Sequence, residues 1–356
     1  MIRLVRSSAL CALLAPVLLA QDPAPAAPPA AQAPATKAAA KKPEVPVYDE
    51  KVDARQQIAT ALAKAKKENQ RVLIQWGANW CGWCKWLAAT MKSDRDVSHE
   101  LLYEYQVVHV DVGQFDKHMD VAKELGANFK AIPYLTVLGA DGKAIVQQNT
   151  EPFETKVDGK NGHDAKKLVA FLKEHAAKPL VASDVLAAGM TEAKASGKRV
   201  FLHFGAPWCG WCHRLENWMA KPEVAALLGK DFVDVKIDND RMTGAKEIYE
   251  AQLAAAGQKG SGIPWFVFLD ADGKVLAHAT GPKGNVGFPF QPEEVEHFGT
   301  MLKAAKKNLT DADIASLVQM LHDNRLAEEA KKKAKAGAGA AGAAVPATPV
   351  QPAGVQ

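Results

Sequence analysis

Five cysteines occur in the 356 residues: Cys11, and two pairs, Cys81/Cys84 and Cys209/Cys212, each spaced Cys-x-x-Cys. On a first helical turn, residues i and i+3 lie on one face, so their sulfurs can close a small disulfide ring with little rearrangement. Each pair follows an apolar run and opens a segment that reads as a helix. At that end, unpaired N–H groups and the helix dipole favour thiolate over thiol. Such a thiolate attacks a disulfide at neutral pH, and a second sulfur one turn further in resolves the mixed disulfide. The spacing therefore points to Cys81 and Cys209 as nucleophiles and to Cys84 and Cys212 as resolving thiols.

The surrounding elements must hold these pairs. Asp53 to Lys67 carries Ile58, Leu62 and Ala65 at helical spacing. Val72 to Trp76 is an apolar run with one polar residue, as expected of a strand covered on both faces. Further strands are predicted at Val107–Val112, Tyr134–Leu138 and Ala144–Gln147, with helices at Asp116–Leu125 and Ala165–His175. Asp141-Gly142 gives a hairpin signal between the last two strands.

The pattern then repeats. Arg71-Val-Leu-Ile-Gln-Trp-Gly-Ala-Asn-Trp-Cys-Gly-Trp-Cys-Lys85 aligns with Arg199-Val-Phe-Leu-His-Phe-Gly-Ala-Pro-Trp-Cys-Gly-Trp-Cys-His213 at an offset of 128. Ile132-Pro133 aligns with Ile263-Pro264, and Asp141-Gly142-Lys143 with Asp272-Gly273-Lys274, at an offset of 131. Three landmarks in one order signal a duplication. The second copy predicts helices at Asp184–Ser196 and Ala245–Leu253 and strands at Val200–Phe204, Phe232–Ile237, Trp265–Leu269 and Val275–His278. After Pro292 come helical residues to about Lys307 and one more helix, capped by Thr310 and Asp313.

Trp-Cys-Gly-Trp-Cys after an apolar strand, with Ile-Pro opening a later strand, resembles the thioredoxin superfamily, twice over. The resemblance implies an α/β fold of two tandem thioredoxin-like domains. Each would have a central mixed β-sheet flanked by helices, with an extra helix at the C-terminus. It also implies that Pro133 and Pro264 are cis and lie beside the cysteines, and that Ile132 and Ile263 offer backbone groups to an extended substrate. Trp80, Trp83, Trp208 and Trp211 join these four as candidate substrate-binding residues. Trp86, Trp218 and Trp265 read as packing residues.

Two features depart from that family. The dipeptide between the cysteines is Gly-Trp, not Gly-Pro. The strand position six residues before the first cysteine, acidic in thioredoxins, holds Gln75 and His203. Gln75 cannot titrate and His203 can, so the two sites are expected to differ in pH dependence. Lys85 and His213, directly after the second cysteines, place a positive or titratable group on the first turn.

The chain ends have a different composition. Residues 1–20 combine Arg3 and Arg6 with an apolar run from Ala9 to Ala20, the layout of a signal peptide. Cleavage would remove Cys11 and leave no stable membrane span, because the run falls short of the roughly 20 residues a spanning helix needs. Residues 21–46 are an Ala/Pro-rich linker, and 331–356 a Lys/Ala/Gly/Pro tail expected to be disordered. The boundaries that follow are 47–178 for the first domain and 179–330 for the second with its C-terminal helix. An exported chain, periplasmic or secreted, meets substrates that hold disulfides.

Hydrophobic residues make up 48% of the chain, which excludes a wholly disordered protein. The net charge of +4 comes from the ends, and residues 47–330 carry −3, so composition offers no case for nucleic acid. No cofactor motif is evident, and the expected partners are disulfide-containing or dithiol proteins together with a redox partner of unknown identity. Two alternatives stand beside the redox reading. Four thiolates can bind zinc or copper(I), although the pairs lie 125 residues apart with only His213 nearby. A thioredoxin-fold binding module with quiet thiols is the other.

Overall fold

The computed structural model describes residues 45–341. The expected signal peptide, Cys11, nearly all of the linker and residues 342–356 lie outside the described residues.

The first half starts with α1 (Ala54–Lys67), whose N-cap Asp53 accepts from the Gln56 N–H and which buries Ala54, Ile58 and Ala65. β1 (Arg71–Gly77) is buried from Val72 onward, as the central strand of a sheet covered on both faces must be. Then follow α2 (Gly82–Ser93), α3 (Arg95–Glu104), β2 (Tyr105–Asp111), α4 (Met119–Glu124), β3 (Tyr134–Leu138) and β4 (Ala144–Asn149). A 3₁₀ turn at Glu151–Phe153 leads into a hairpin of β5 (Glu154–Val157) and β6 (Lys160–His163), and α5 (Ala165–His175) closes the half. The sheet order is β2-β1-β3-β4, with β1 parallel to β2 and antiparallel to β3.

The second half runs α6 (Ala182–Ser196), β7 (Arg199–Gly205), α7 (Gly210–Met219), α8 (Pro222–Leu228), β8 (Phe232–Asp238), α9 (Ala245–Ala255), β9 (Trp265–Leu269) and β10 (Val275–His278). A short hairpin of β11 (Thr280–Gly281) and β12 (Gly284–Asn285) precedes α10 (Pro292–Ala305) and α11 (Asp311–Ala341). Its sheet, β8-β7-β9-β10, has the order and strand directions of the first, so the internal repeat of the sequence is a repeat of topology. The fold is mixed α/β, with two central mixed sheets flanked by helices.

The β3–β4 and β9–β10 turns fall where the Asp-Gly signals stand, with Gly142 and Gly273 at φ +79° and +86°. Thr310 and Asp313 cap α11 reciprocally: the Asp313 N–H donates to Thr310 Oγ1 at 3.1 Å and the Thr310 N–H to Asp313 Oδ2 at 2.9 Å. That helix runs on to Ala341, past the expected start of the tail at 331. Its Lys/Ala content favours helix continuation.

Candidate active site

In each half the first cysteine is the N-cap of the helix that follows the central strand. Cys81 has β-region backbone (φ −78°, ψ 113°), and its Sγ accepts from the Cys84 N–H at 3.1 Å. Cys209 does the same for α7 (φ −80°, ψ 97°), accepting from the Cys212 N–H at 3.1 Å. A sulfur thus takes the place of the usual N-cap oxygen, at the positive end of the helix dipole. Cys81–Cys84 and Cys209–Cys212 are disulfide-bonded, with Cα separations of 5.3 and 5.2 Å. All four cysteines are buried.

Both Ile132-Pro133 and Ile263-Pro264 peptide bonds are cis. The Ile132 carbonyl oxygen lies 3.6 Å from Cys81 Sγ. Ile132 and Ile263 each pack, half-buried, against the cysteine pair of their own half.

The tryptophans divide. Trp80, Trp208 and Trp211 stand exposed beside the sulfurs, at 53%, 58% and 49% of their surface. Trp83 packs half-buried on the first pair, edge-on to Trp86 and to His163. Trp80 Nε1 donates to the Gly113 carbonyl at 2.8 Å, and Trp208 Nε1 to Asp240 Oδ2 at 2.7 Å. Trp218 and Trp265 are core residues, whereas Trp86 is surface-exposed rather than buried, because α2 turns that position away from the sheet.

Gln75 and His203 are both buried and both polar, but they do different things. Gln75 Nε2 donates to Tyr48 Oη at 2.7 Å and to the Cys84 carbonyl at 3.0 Å. His203 Nε2 is 2.9 Å from Asp234 Oδ1. Burial works against the Asp234 carboxylate, but the His203 imidazole with its hydrogen bond, Lys67 and Lys236 together hold it below its ordinary range. His213 Nε2 donates to the Pro207 carbonyl at 2.7 Å, fixing its ring on the loop before Cys209.

Beneath the second cysteine of each pair the structure places groups that sequence reasoning missed. A Cβ on Gly77 would stand 2.1 Å from Tyr48 Oη and 3.0 Å from Cys84 Sγ, so phenol and sulfur share the hollow that this glycine leaves. Burial pushes the Tyr48 phenol well above its usual range, only partly offset by Gln75. Gly205 leaves the same hollow at the second site, lined by Cys212 Sγ at 3.3 Å and Glu216 Oε1 at 3.7 Å. The one available signal was the glycine found at the same place in both copies, Trp76-Gly77 and Phe204-Gly205.

Among the described residues, no three or more His, Cys, Asp or Glu side chains gather as a metal site, and no helix is long and apolar enough to cross a membrane.

Residues 53–140 match a family described as thioredoxin-like, and residues 163–321 a family described as a protein of unknown function, DUF255. The chain is 27% identical over 211 residues to "Protein disulfide-isomerase erp38" of Neurospora crassa, covering 57% of this chain and 51% of that protein. It is 30% identical over 100 residues to human "Spermatogenesis-associated protein 20", covering 28% of this chain and 13% of that one. A solved disulphide isomerase from Xylella fastidiosa Temecula1 is 26% identical, covers 36% of this chain and 96% of its own, and superposes with a TM-score of 0.30. The chain thus spans about half or less of the length of the curated relatives it matches.

Proposed function

We propose that this chain is an exported thiol–disulfide oxidoreductase built from two thioredoxin-like domains, each exchanging disulfides with protein substrates through its own Cys-Gly-Trp-Cys site. The observation that carries the reading is the double role of the first sulfur at each site. It caps a helix N-terminus, which stabilises a thiolate, and it lies beside exposed tryptophan. Two relatives with the printed name protein disulfide-isomerase, from Neurospora crassa and Aspergillus niger, support the same reading.

In the reducing direction, the Cys81 or Cys209 thiolate attacks one sulfur of a substrate disulfide. A mixed disulfide forms and the other substrate sulfur leaves as thiolate. Cys84 or Cys212 then attacks the first cysteine, the intramolecular disulfide closes, and two electrons have passed to the substrate. Ile132 and Ile263 are assigned to hold the substrate backbone, and Trp80, Trp83, Trp208 and Trp211 to pack on its side chains. The signal-like start of the sequence is the basis for export.

The test is a redox titration of the full chain against glutathione or dithiothreitol, with free thiols counted by mass. Each site should pass reversibly between disulfide and dithiol at a potential between about −270 and about −120 mV. Cys81→Ser and Cys209→Ser should each remove one transition and leave the other. A chain without a reversible two-thiol transition at either site is not an oxidoreductase.

A further inference from the structure

The two sites share a motif but differ beneath the resolving cysteine, and the difference crosses into the other half of the chain. Glu216 sits one helical turn after Cys212, on the same face of α7, and its aligned position in the first half is Ala88. The Glu216 side chain is buried, and its Oε1 faces the Gly205 hollow that Cys212 Sγ also lines. Lys236 Nζ forms an ion pair with this oxygen at 2.8 Å, and no further donor of the described residues reaches it. The same Nζ donates to Glu68 Oε2 at 2.6 Å. Glu68 caps the C-terminal end of α1 and belongs to the first half.

We propose that Glu216 is the proton acceptor for Cys212, and that Glu68 of the first half tunes it through Lys236. This rests on the oxidoreductase reading and goes beyond it, because it makes the second site a composite of both halves. A carboxylate oxygen held by a single ammonium, in a hollow shared with a thiol, can take that thiol's proton. In the resolving step the Cys212 S–H passes its proton to Glu216. The thiolate attacks Cys209 Sγ in the mixed disulfide, the Cys209–Cys212 bond forms, and the bond from Cys209 to the substrate sulfur breaks. The departing thiolate takes up a proton from solvent, and a dithiol reductant later returns both electrons to the site.

The charges around Glu216 give the tuning a direction. Lys236 favours the Glu216 anion, and Glu68, drawing on the same ammonium, weakens that support. Burial works against the Lys236 cation, but the two glutamates more than compensate and hold it above its ordinary range. His203 pairs with Asp234 on β7 and β8, Asp238 lies beside Arg241 at the end of β8, and His213 is fixed to Pro207, so each of these groups already has a partner. The first site has the Tyr48 phenol where the second has a carboxylate.

The test uses the full chain with Cys81→Ser and Cys84→Ser, so that only the second site turns over. The rate of substrate release from a Cys209 mixed disulfide is followed from pH 5 to 8. Glu216→Gln should slow release about tenfold or more at pH 7 and remove one inflection from the profile. Glu68→Gln should move that inflection to lower pH, and Lys236→Met should move it to higher pH. A purely structural role for the three would not shift the inflection in opposite directions. An unchanged profile in Glu216→Gln overturns the proposal, and so does an inflection that stays put in both Glu68→Gln and Lys236→Met. If Glu216→Gln does not fold, these two variants still decide. Loss of the two-thiol transition in the parent protein would instead count against the oxidoreductase reading itself.

Discussion

Arg241, just after β8, reaches the first half and grips Glu104 at the end of α3 with two hydrogen bonds, Nε to Oε1 at 3.1 Å and Nη2 to Oε2 at 2.8 Å. The same guanidinium donates to the Glu68 and Asn69 carbonyls at 2.6 and 2.8 Å. Its side chain is 8% exposed, so the forked cation is nearly fully satisfied away from water. Tyr103 adds a contact on this seam, donating to the Asp240 oxygen that also receives Trp208.

Arg241→Met should therefore leave Glu104 and two carbonyls short of donors and cost about 3 kcal/mol. Arg241→Lys keeps the charge but not the fork, and should recover only part of that loss. Urea unfolding midpoints of the two variants check both statements. A loss below about 0.5 kcal/mol for Arg241→Met would show that the seam contributes little to stability.

Asp231 anchors the turn between α10 and α11. Its buried carboxylate accepts from the Lys307 and Asn308 N–H groups at 2.6 Å each and from Leu309 at 3.0 Å. Burial alone would raise its proton affinity, but the three backbone donors outweigh it and hold the carboxyl below its ordinary range. The folded value being depressed, the stabilisation is present above the unfolded value near 3.9 and is lost as pH falls through the folded one. Asp231→Asn should cost about 2 kcal/mol at neutral pH and flatten the acid limb of a melting-temperature profile from pH 2 to 6.

His163 gives the opposite kind of pH dependence in the first half. It is 1% exposed on β6, edge-on to Trp83, with neither ring nitrogen hydrogen-bonded. Burial pushes its proton affinity down to about 4. The unfolded chain binds this proton near pH 6.5, so stability is full above that value and falls as pH drops toward 4. The loss should reach about 3 kcal/mol, and His163→Phe should remove it from thermal melts recorded between pH 4 and 7.

Much of this architecture was legible in the sequence because it depends on local signals. Tyr134–Leu138, Ala165–His175 and Trp265–Leu269 have the bounds that their apolar patterns and flanking turns indicate. The β5–β6 hairpin has an equally plain signal in Asp158-Gly159, both at positive φ, but its flanks are too polar to read as strands. α3 and α8 are short helices next to longer ones, and each buries only two side chains, Val97 and Leu101 or Val224 and Leu228, so periodicity alone does not separate them. The distant groups that meet at the second cysteines were not legible. Tyr48 meets Cys84 from before α1, and Glu68 meets Lys236 across 168 residues. Only tertiary packing creates those meetings. His203 illustrates the same limit: its type suggests a titrating group near the thiols, but its neighbour Asp234 occupies its ring nitrogen.

The exposed tryptophans yield the last prediction. Trp208 and Trp211 flank Cys209 with about half their surface open to solvent, yet both are held in place. Trp208 is fixed through Nε1 to Asp240, and Trp211 lies under the Arg214 guanidinium at 4.5 Å from its ring centroid. Large rigid aromatic surface at low entropic cost is what binding hot spots use. The Trp208→Ala/Trp211→Ala double variant should raise KM for a disulfide-containing protein substrate about tenfold or more. Glutathione disulfide, too small to cover both rings, should be reduced at nearly the parental rate. Trp208 is held by Asp240 and Trp211 by Arg214 rather than by Glu216, so the redox potential of the Cys209/Cys212 pair should stay within about 10 mV of the parent. Equal losses with both substrates would mean that the tryptophans shape the thiol chemistry itself rather than bind the protein partner.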